Sequence, residues 1–476
     1  MSNIKISKKD LIWSYITQFF QMASGLITLP LILKMLSEEE IGLNYLMLTI
    51  SSLIALFDFG FAPQFGRNIT YLFSGAQELK KEGIIHIPTD NKTLNYKLIA
   101  TMICVAKDIY KKISLLAFVV SITLGTLYIY HTTNGFTTVE NALLIWVIYS
   151  ISIYFNLYFT YYSSLLTGRG LIKEQKKAML VSRITYILLA YLLVISGFSL
   201  IGVVIANFIS PFVGRYISHH YFYTNSIKKE LKKYTISREE KKETFKIIWH
   251  NAKKLGIMFL GAYAVNKSGM FIAGLFLSLE TIASYGLLIQ LTTIITTISM
   301  MYTNILQPQF ANYRINKRET ELLKIFSSSL SIFYILFIAG SLFLIFVMPH
   351  LLLLLKSNAQ LPSLKICILF LIVCLLENNH SAFSSLIVSN NQVPFVKSSL
   401  ISGFSIIIGS FLILQYTDLG LWGIIFIQFI CQLAYSNWKW PYVVCKELKI
   451  SFFNIIKLGI NTNYHKIKLY INVRYK

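Results

Sequence analysis

Charge is what this chain lacks. Of its 476 residues only 14% are Asp, Glu, Lys or Arg, against about 25% in an ordinary soluble domain. With 55% hydrophobic residues as well, it has too few polar groups to cover a globule in water, and soluble, secreted and disordered classes are excluded. The five cysteines (Cys104, Cys367, Cys374, Cys431 and Cys445) stand in or beside apolar stretches without metal-type spacing. That is the pattern of neither a disulfide framework nor a zinc site. Acidic residues are scarcest, 21 against 44 Lys and Arg, for a net charge of +23. On a soluble chain such an excess points to nucleic acid. Here the charges are squeezed between apolar blocks, which describes basic loops held on the cytoplasmic face of a membrane; no nucleic-acid partner is expected. The sequence also has no glycine-rich phosphate loop, no nucleophile motif and no metal-ligand cluster. No cofactor and no enzyme activity are expected.

What is present is a series of apolar runs of about twenty residues, the length needed to cross a bilayer as a helix. Twelve are expected to span: 11–33, 41–63, 113–131, 139–162, 178–196, 198–220, 255–277, 281–305, 325–348, 363–389, 398–415 and 420–443. The first is too long for a signal-peptide core and is expected to be retained. Ser196 and Gly197 alone separate the fifth from the sixth. The run Leu98–Ala106 is too short to span; it is a surface helix or an extension of the third span. Lys and Arg gather after spans two, four, six and eight, including the dense 228–254 loop, while the intervening loops hold only Lys34, Lys356 and Lys365. This bias puts both termini in the cytoplasm.

The chain also repeats itself. Leu36-Ser37-Glu38-Glu39-Glu40-Ile41 precedes span two, and Leu277-Ser278-Leu279-Glu280-Thr281-Ile282 precedes span eight. Pro63-Gln64-Phe65 with Arg67 beyond ends the former, and Pro308-Gln309-Phe310 with Arg314 beyond ends the latter. The two pairs lie 241 and 245 residues apart. Six helices per half is an even number, so the halves share one orientation, a parallel repeat. The expected fold is an all-α integral membrane protein, two six-helix bundles around a central cavity. The bundles are residues 1–223 and 255–445, joined by a basic linker, 224–254, and followed by a basic amphipathic tail, 446–476, on the membrane surface.

Span two and its flanks carry Glu40-Ile41-Gly42, then Leu56-Phe57-Asp58-Phe59-Gly60, then Arg67. This run resembles that of the polysaccharide flippases, the O-antigen (Wzx-type) branch of the multidrug/oligosaccharidyl-lipid/polysaccharide exporter superfamily. Span seven, Asn266-Lys267-Ser268-Gly269 followed by Ala283-Ser284-Tyr285, is similar to a second family pattern, but Asn266 stands where the family has an acid and Ser284 where it has glycine. The resemblance implies movement of an undecaprenyl-pyrophosphate-linked oligosaccharide between leaflets of the bacterial inner membrane by alternating access, driven by H⁺ or Na⁺. Membrane lipids, a polysaccharide polymerase and a chain-length regulator are the other implied partners.

A cargo with an anionic pyrophosphate and many hydroxyls needs cations and polar groups at membrane depth. Lys267 is the basic residue near the middle of an expected span; it either meets the pyrophosphate or pairs with a structural carboxylate. Glu377 and His380 are three apart in span ten and share a helical face. They are candidates for ion coupling, or for a static bridge in which Lys267 is a possible counter-ion. Asp58 is a further coupling candidate, and Arg67 and Arg314 are candidate first contacts for pyrophosphate; an Asp58–Arg67 clasp is the plainer alternative. Gln18 and Gln21 form a polar strip in span one that could face the cavity. Tyr154, Tyr158, Tyr161 and Tyr162 either belong to an interfacial belt or stack on sugar. An exporter with another cargo remains open; a membrane polymerase or ligase would need a larger external loop than any here. Reporter fusions at Asn134 and Asn358 are expected to read as external, and one at Asn316 as cytoplasmic; the reverse at any position removes this topology.

Overall fold

The computed structural model describes residues 8–81, 94–389 and 394–474. The chain forms two units, Met1–Leu260 and Gly261–Lys476, and the described residues are helical throughout with short turns and no strand.

The first unit contains α1 (Lys8–Met35), α2 (Glu38–Ile54), α3 (Phe61–Phe73), α4 (Tyr96–Val120), α5 (Thr126–Thr132), α6 (Ala142–Gly168), α7 (Ile172–Leu193), α8 (Ser199–Phe222), α9 (Asn225–Leu231) and most of α10 (Arg238–Asn266). The second has α11 (Ser268–Phe276), α12 (Leu279–Ile315), α13 (Glu319–Leu342), α14 (Met348–Leu354), α15 (Leu364–Val388), α16 (Val396–Tyr416), α17 (Gly420–Leu433), α18 (Ser436–Glu447) and α19 (Phe452–Arg474). Each of the twelve expected spans falls largely on helix. Eight described helices are long and apolar enough to cross a membrane, and the bent pair α10–α11 makes a ninth. One of the eight, Ile172–Phe222, is the hairpin α7–α8, whose two arms pack on one another. Gly197 at φ 91° and Ser199 at φ 42° turn it, so Ser196 and Gly197 do separate two helices. Leu98–Ala106 lies inside α4 as an extension of the third span.

The repeat is visible in the caps. Ser37 and Glu40 form a reciprocal box at the start of α2, with Glu40 N–H donating to Ser37 Oγ at 3.2 Å and Ser37 N–H donating to Glu40 Oε2 at 2.9 Å. Ser278 caps α12 with its hydroxyl as well, accepting from Thr281 N–H at 3.4 Å. Each cap satisfies N–H groups that the helix leaves without an internal partner. Glu40 does more: its carboxylate accepts from Ser199 Oγ at 2.6 Å and Leu200 N–H at 3.3 Å, fastening α2 to the α7–α8 turn. The third span of each half carries a π turn, Ser121–Gly125 between α4 and α5 and Phe343–Val347 between α13 and α14.

At the other end of the first unit the basic loops meet. Arg169 Nη1 donates to Phe222 O at 2.7 Å, Asn251 Nδ2 donates to Lys81 O at 2.7 Å, and Lys97–Glu240 (2.5 Å) and Lys241–Asp108 (2.9 Å) tie α10 to α4. The segments after α3, α6 and α8 therefore share one end, as the charge bias requires. Beneath them Phe61, Phe65, Met102, Tyr110, Leu165 and Ile248 form a continuous apolar core.

Two expectations about the joints change. The linker and seventh span were expected to part near residue 255, yet α10 runs unbroken from Arg238 to Asn266, because Ile248 and Ala252 are buried in the first unit's core. The interruption falls inside the span instead, at Lys267. The tail, expected on the membrane surface, is the helix α19, and it packs along α13. Gly459 permits this: a Cβ there would stand 2.0 Å from Ser327 O. Beside it, Asn463 Nδ2 donates to Ser328 O (3.0 Å) and Ser331 Oγ (2.7 Å), and Ser328 Oγ donates to Asn463 Oδ1 at 2.5 Å. Phe310, Phe326, Phe383 and Phe452 continue the seam from α12 through α13 and α15 to α19, with ring centroids 5.9, 5.1 and 5.9 Å apart. Gly459→Val must push α19 off α13 and is expected to lower stability by about 1–3 kcal/mol, read as a drop in the thermal unfolding midpoint in detergent. An unchanged midpoint contradicts this packing.

Candidate functional site

The second unit holds a cavity of about 300 Å³. Four stretches of the chain present polar side chains to it. From α12 come Tyr285, Thr292, Thr293 and Thr296, and from α15 come Cys374, Glu377, Asn378 and Ser381. Both sets follow the three-to-four residue spacing of a single helical face. Asn266 and Lys267 complete the wall at the α10–α11 break, with Gln428 of α17 beside them.

The break positions Lys267. Its backbone leaves the helix at φ −130°, ψ −19°, and α11 departs at 49° to α10. Ser268 Oγ donates back to Ala264 O at 2.5 Å, a local bond that competes with helix continuation. Val265 O, left over by the interruption, accepts from Gln428 Nε2 at 3.3 Å. A broken helix at membrane depth is tolerated only where its freed backbone groups find such partners or face a polar cavity. Tight packing holds the geometry, since a Cβ on Gly403 of α16 would come within 2.5 Å of Ala264 Cβ.

Lys267 is half-buried, and its ammonium makes no ion pair or hydrogen bond among the described residues. Glu377 does not pair with it. The Glu377 carboxylate lies 3.5 Å from His380 Nδ1 on its own helix. His380 is buried, edge-on to Phe395 at 6.4 Å, and its Nε2 has no partner among the described residues. Asn378 lines the cavity and its Nδ2 donates to Cys374 O at 2.7 Å; Asn379, one position on, accepts from Tyr334 OH of α13 at 2.6 Å. Thr292 is buried with its hydroxyl unpartnered among the described residues. The cavity is thus lined by a cation that no described residue neutralises and by a carboxylate, Glu377, whose nearest described partner is His380 on its own helix. The hydroxyls of Thr292, Thr293, Thr296 and Ser381 and the amides of Asn266, Asn378 and Gln428 line the rest.

The other candidates fall elsewhere. Asp58, in the first unit, accepts from Tyr110 OH and, at 3.2 Å, from Ala62 N–H. It anchors the start of α3 after Phe59 and Gly60 reverse the chain at φ 46° and 78°. Arg67 is exposed on α3 and forms no clasp with Asp58. Arg314, in the second unit, is engaged by both its terminal nitrogens with the Glu447 carboxylate on α18. Tyr161 and Tyr162 are buried in the first unit's core, Tyr158 packs partly against it, and Tyr154 stacks on Tyr158 at 6.1 Å. Gln18 and Gln21 lie on α1, but their side chains are outside the described ones. The threonines of α12 and Gln428 were not singled out from sequence. Their signal is available in retrospect: Thr292, Thr293 and Thr296 recur at helical spacing in an apolar stretch, and Gln428 is an amide in the apolar α17.

No protein-family model matches the chain, and no curated protein does. Solved structures do. A lipid II flippase MurJ in an inward closed conformation aligns with a TM-score of 0.60 at 15% identity, over 97% of this chain and 93% of its own. An inward-facing multidrug resistance MATE family transporter of the MOP superfamily aligns at 0.59 and 14% identity, over 93% and 99%. The MATE multidrug transporter DinF-BH aligns at 0.57 and 14%, over 96% and 98%. At such identities the likeness establishes the fold: this chain has the helical architecture of these membrane transporters. They are transporters and a flippase, not enzymes.

Proposed function

We propose that the protein is a flippase that carries undecaprenyl-pyrophosphate-linked oligosaccharide repeat units of the O-antigen kind from the cytoplasmic to the periplasmic leaflet. It does so by alternating access of two six-helix bundles, with twelve spans and both termini in the cytoplasm. The observation that carries this reading is Lys267: an ammonium with no partner among the described residues, at a helix break in the membrane-spanning part, facing a cavity lined with hydroxyls and amides. An intramembrane ionisable group is a functional candidate by default, and one with no carboxylate partner is matched to an anion supplied by the cargo. The N-terminal end of α11, which opens at the same residue, adds backbone N–H donors and positive dipole. Thr292, Thr293, Thr296, Asn378 and Gln428 suit the sugar hydroxyls. Arg67 would meet the pyrophosphate at the cytoplasmic entrance, and Arg314 could do so only after releasing Glu447.

Cargo chemistry also separates this from the nearest alternative, drug export. A cationic drug wants an acidic cavity, and here the cavity's acid, Glu377, is occupied by His380 while Lys267 repels cations. A different lipid-linked anionic polymer intermediate would fit the same groups and stands as the second reading.

Lys267→Ala is expected to reduce surface-glycan export by about tenfold to a hundredfold, the cost of losing one charge-assisted contact, with the protein level unchanged. Lys267→Arg should keep part of it. Full complementation of a flippase-deficient strain by the alanine variant excludes pyrophosphate recognition by Lys267.

Glu377 and His380 are the proposed coupling pair, exchanging a proton as the cavity opens alternately to the two sides. Glu377→Gln keeps shape and hydrogen bonding but cannot titrate. In proteoliposomes it is expected to bind the lipid-linked glycan while its flipping no longer responds to an imposed pH gradient. Parental gradient-driven flipping makes Glu377 structural and moves the coupling ion elsewhere.

A further inference from the structure

A second cavity in the same unit, of about 670 Å³, lies between α18 and the start of α19. Asn379 lines it, while Cys374, Glu377, Asn378 and Ser381 line the first. At about 100° per residue, Asn379 projects from the face of α15 opposite to theirs. The two cavities therefore stand on opposite sides of one helix, and the second is no extension of the cargo site.

Its chemistry differs too. The walls are mainly apolar and aromatic: Trp438, Pro441 and Tyr442 on α18, Ile450 and Phe452 beyond it. Trp438 and Tyr442 are exposed, as amphipathic rings are at the headgroup level of a bilayer. Lys446 stands at the rim, exposed and without an ion-pair partner among the described residues, whereas its neighbour Glu447 is taken by Arg314. Deep in the wall is Asn437, 4% exposed, whose amide nitrogen and oxygen both lack partners among the described residues. A buried amide left unsatisfied on both atoms costs free energy unless a ligand or water completes it.

An apolar pocket with an aromatic rim, a cation at its mouth and an uncommitted amide inside has the polarity profile of a phospholipid. We propose that this cavity binds one anionic phospholipid of the membrane. Its phosphate pairs with Lys446, its ester or glycerol oxygens approach the Asn437 amide, and its chains lie against Trp438, Tyr442 and Phe452. Lys446 and the excess of basic residues decide for an anionic over a zwitterionic headgroup. Bound there, the lipid braces α18 and α19 against Asn379 and so steadies the helix that carries Glu377 on its other face. Only this last step rests on the function proposed above; the binding itself does not.

The test uses the full-length protein purified into nanodiscs of phosphatidylcholine with or without phosphatidylglycerol, with retained lipid counted by native mass spectrometry. One phosphatidylglycerol is expected to be retained in preference to phosphatidylcholine and to raise the thermal midpoint. Lys446→Gln, an exposed substitution, should weaken that preference about fivefold, the effect of one basic residue near an anionic surface. Lys365→Gln, at the start of α15, should leave it unchanged. Equal retention of both lipids, or an unaltered preference in Lys446→Gln, overturns the site. Displacement of the retained lipid by undecaprenyl pyrophosphate assigns the cavity to the cargo and overturns it equally. None of these readouts depends on flipping, so a lost transport activity with an intact lipid preference would count against the proposed function alone.

Discussion

In hydrocarbon no water is present to satisfy a bare N–H or C=O, and each one left alone costs several kcal/mol. That constraint makes the chain helical and decides where it can stop being helical. Every interruption needs local repair. At Gly60 the Asp58 carboxylate takes up Ala62 N–H. At Ser37 and Ser278 the hydroxyls cap α2 and α12, and at Lys267 the Gln428 amide donates to the stranded Val265 carbonyl. The first two repairs are complete with the chain's own groups. The third leaves an ammonium over, and an ammonium cannot be left over in a bilayer without a cavity to hold its water or its ligand. The break and the cavity meet at Lys267, which interrupts the helix and lines the cavity.

The same constraint explains which parts were legible in the sequence. Span positions follow from runs of apolar residues, and the twelve expected ones all fall largely on helix. The repeat could be read because a helix start needs a particular side chain, and Ser37 and Ser278 recur for that reason. Lys267 and Glu377 stood out because charge is rare in such runs. What could not be read is partnership between distant residues. Arg314 and Glu447 are 133 positions apart, and nothing local to either announces the other. The clasp of Asp58 with Arg67 fails because a buried Tyr110 takes the carboxylate from a different helix. The break at Lys267 has no proline or glycine at the residue itself; it arises from the close approach of α16 at Gly403 and from a serine that bonds backwards. The tail's docking on α13 hangs on Gly459, one glycine among 24. The π turns, whose extra residue shows only in the hydrogen-bond register, carry no sequence mark at all.

The two halves share their caps and differ in what their interruptions do. In the first half the second span is broken between α2 and α3, where Phe59 and Gly60 adopt left-handed conformations, and the acid beside the break is consumed in capping. In the second half the corresponding α12 runs without interruption from Leu279 to Ile315. The break lies in the preceding span instead, where the residue beside it is a cation that no described residue consumes. An uninterrupted α12 can present Thr292, Thr293 and Thr296 on one continuous face, which a broken helix could not. The two units thus divide the labour. One uses its broken helix to fix structure. The other leaves a cation, Lys267, beside its break, where it lines a cavity with Thr292, Thr293 and Thr296.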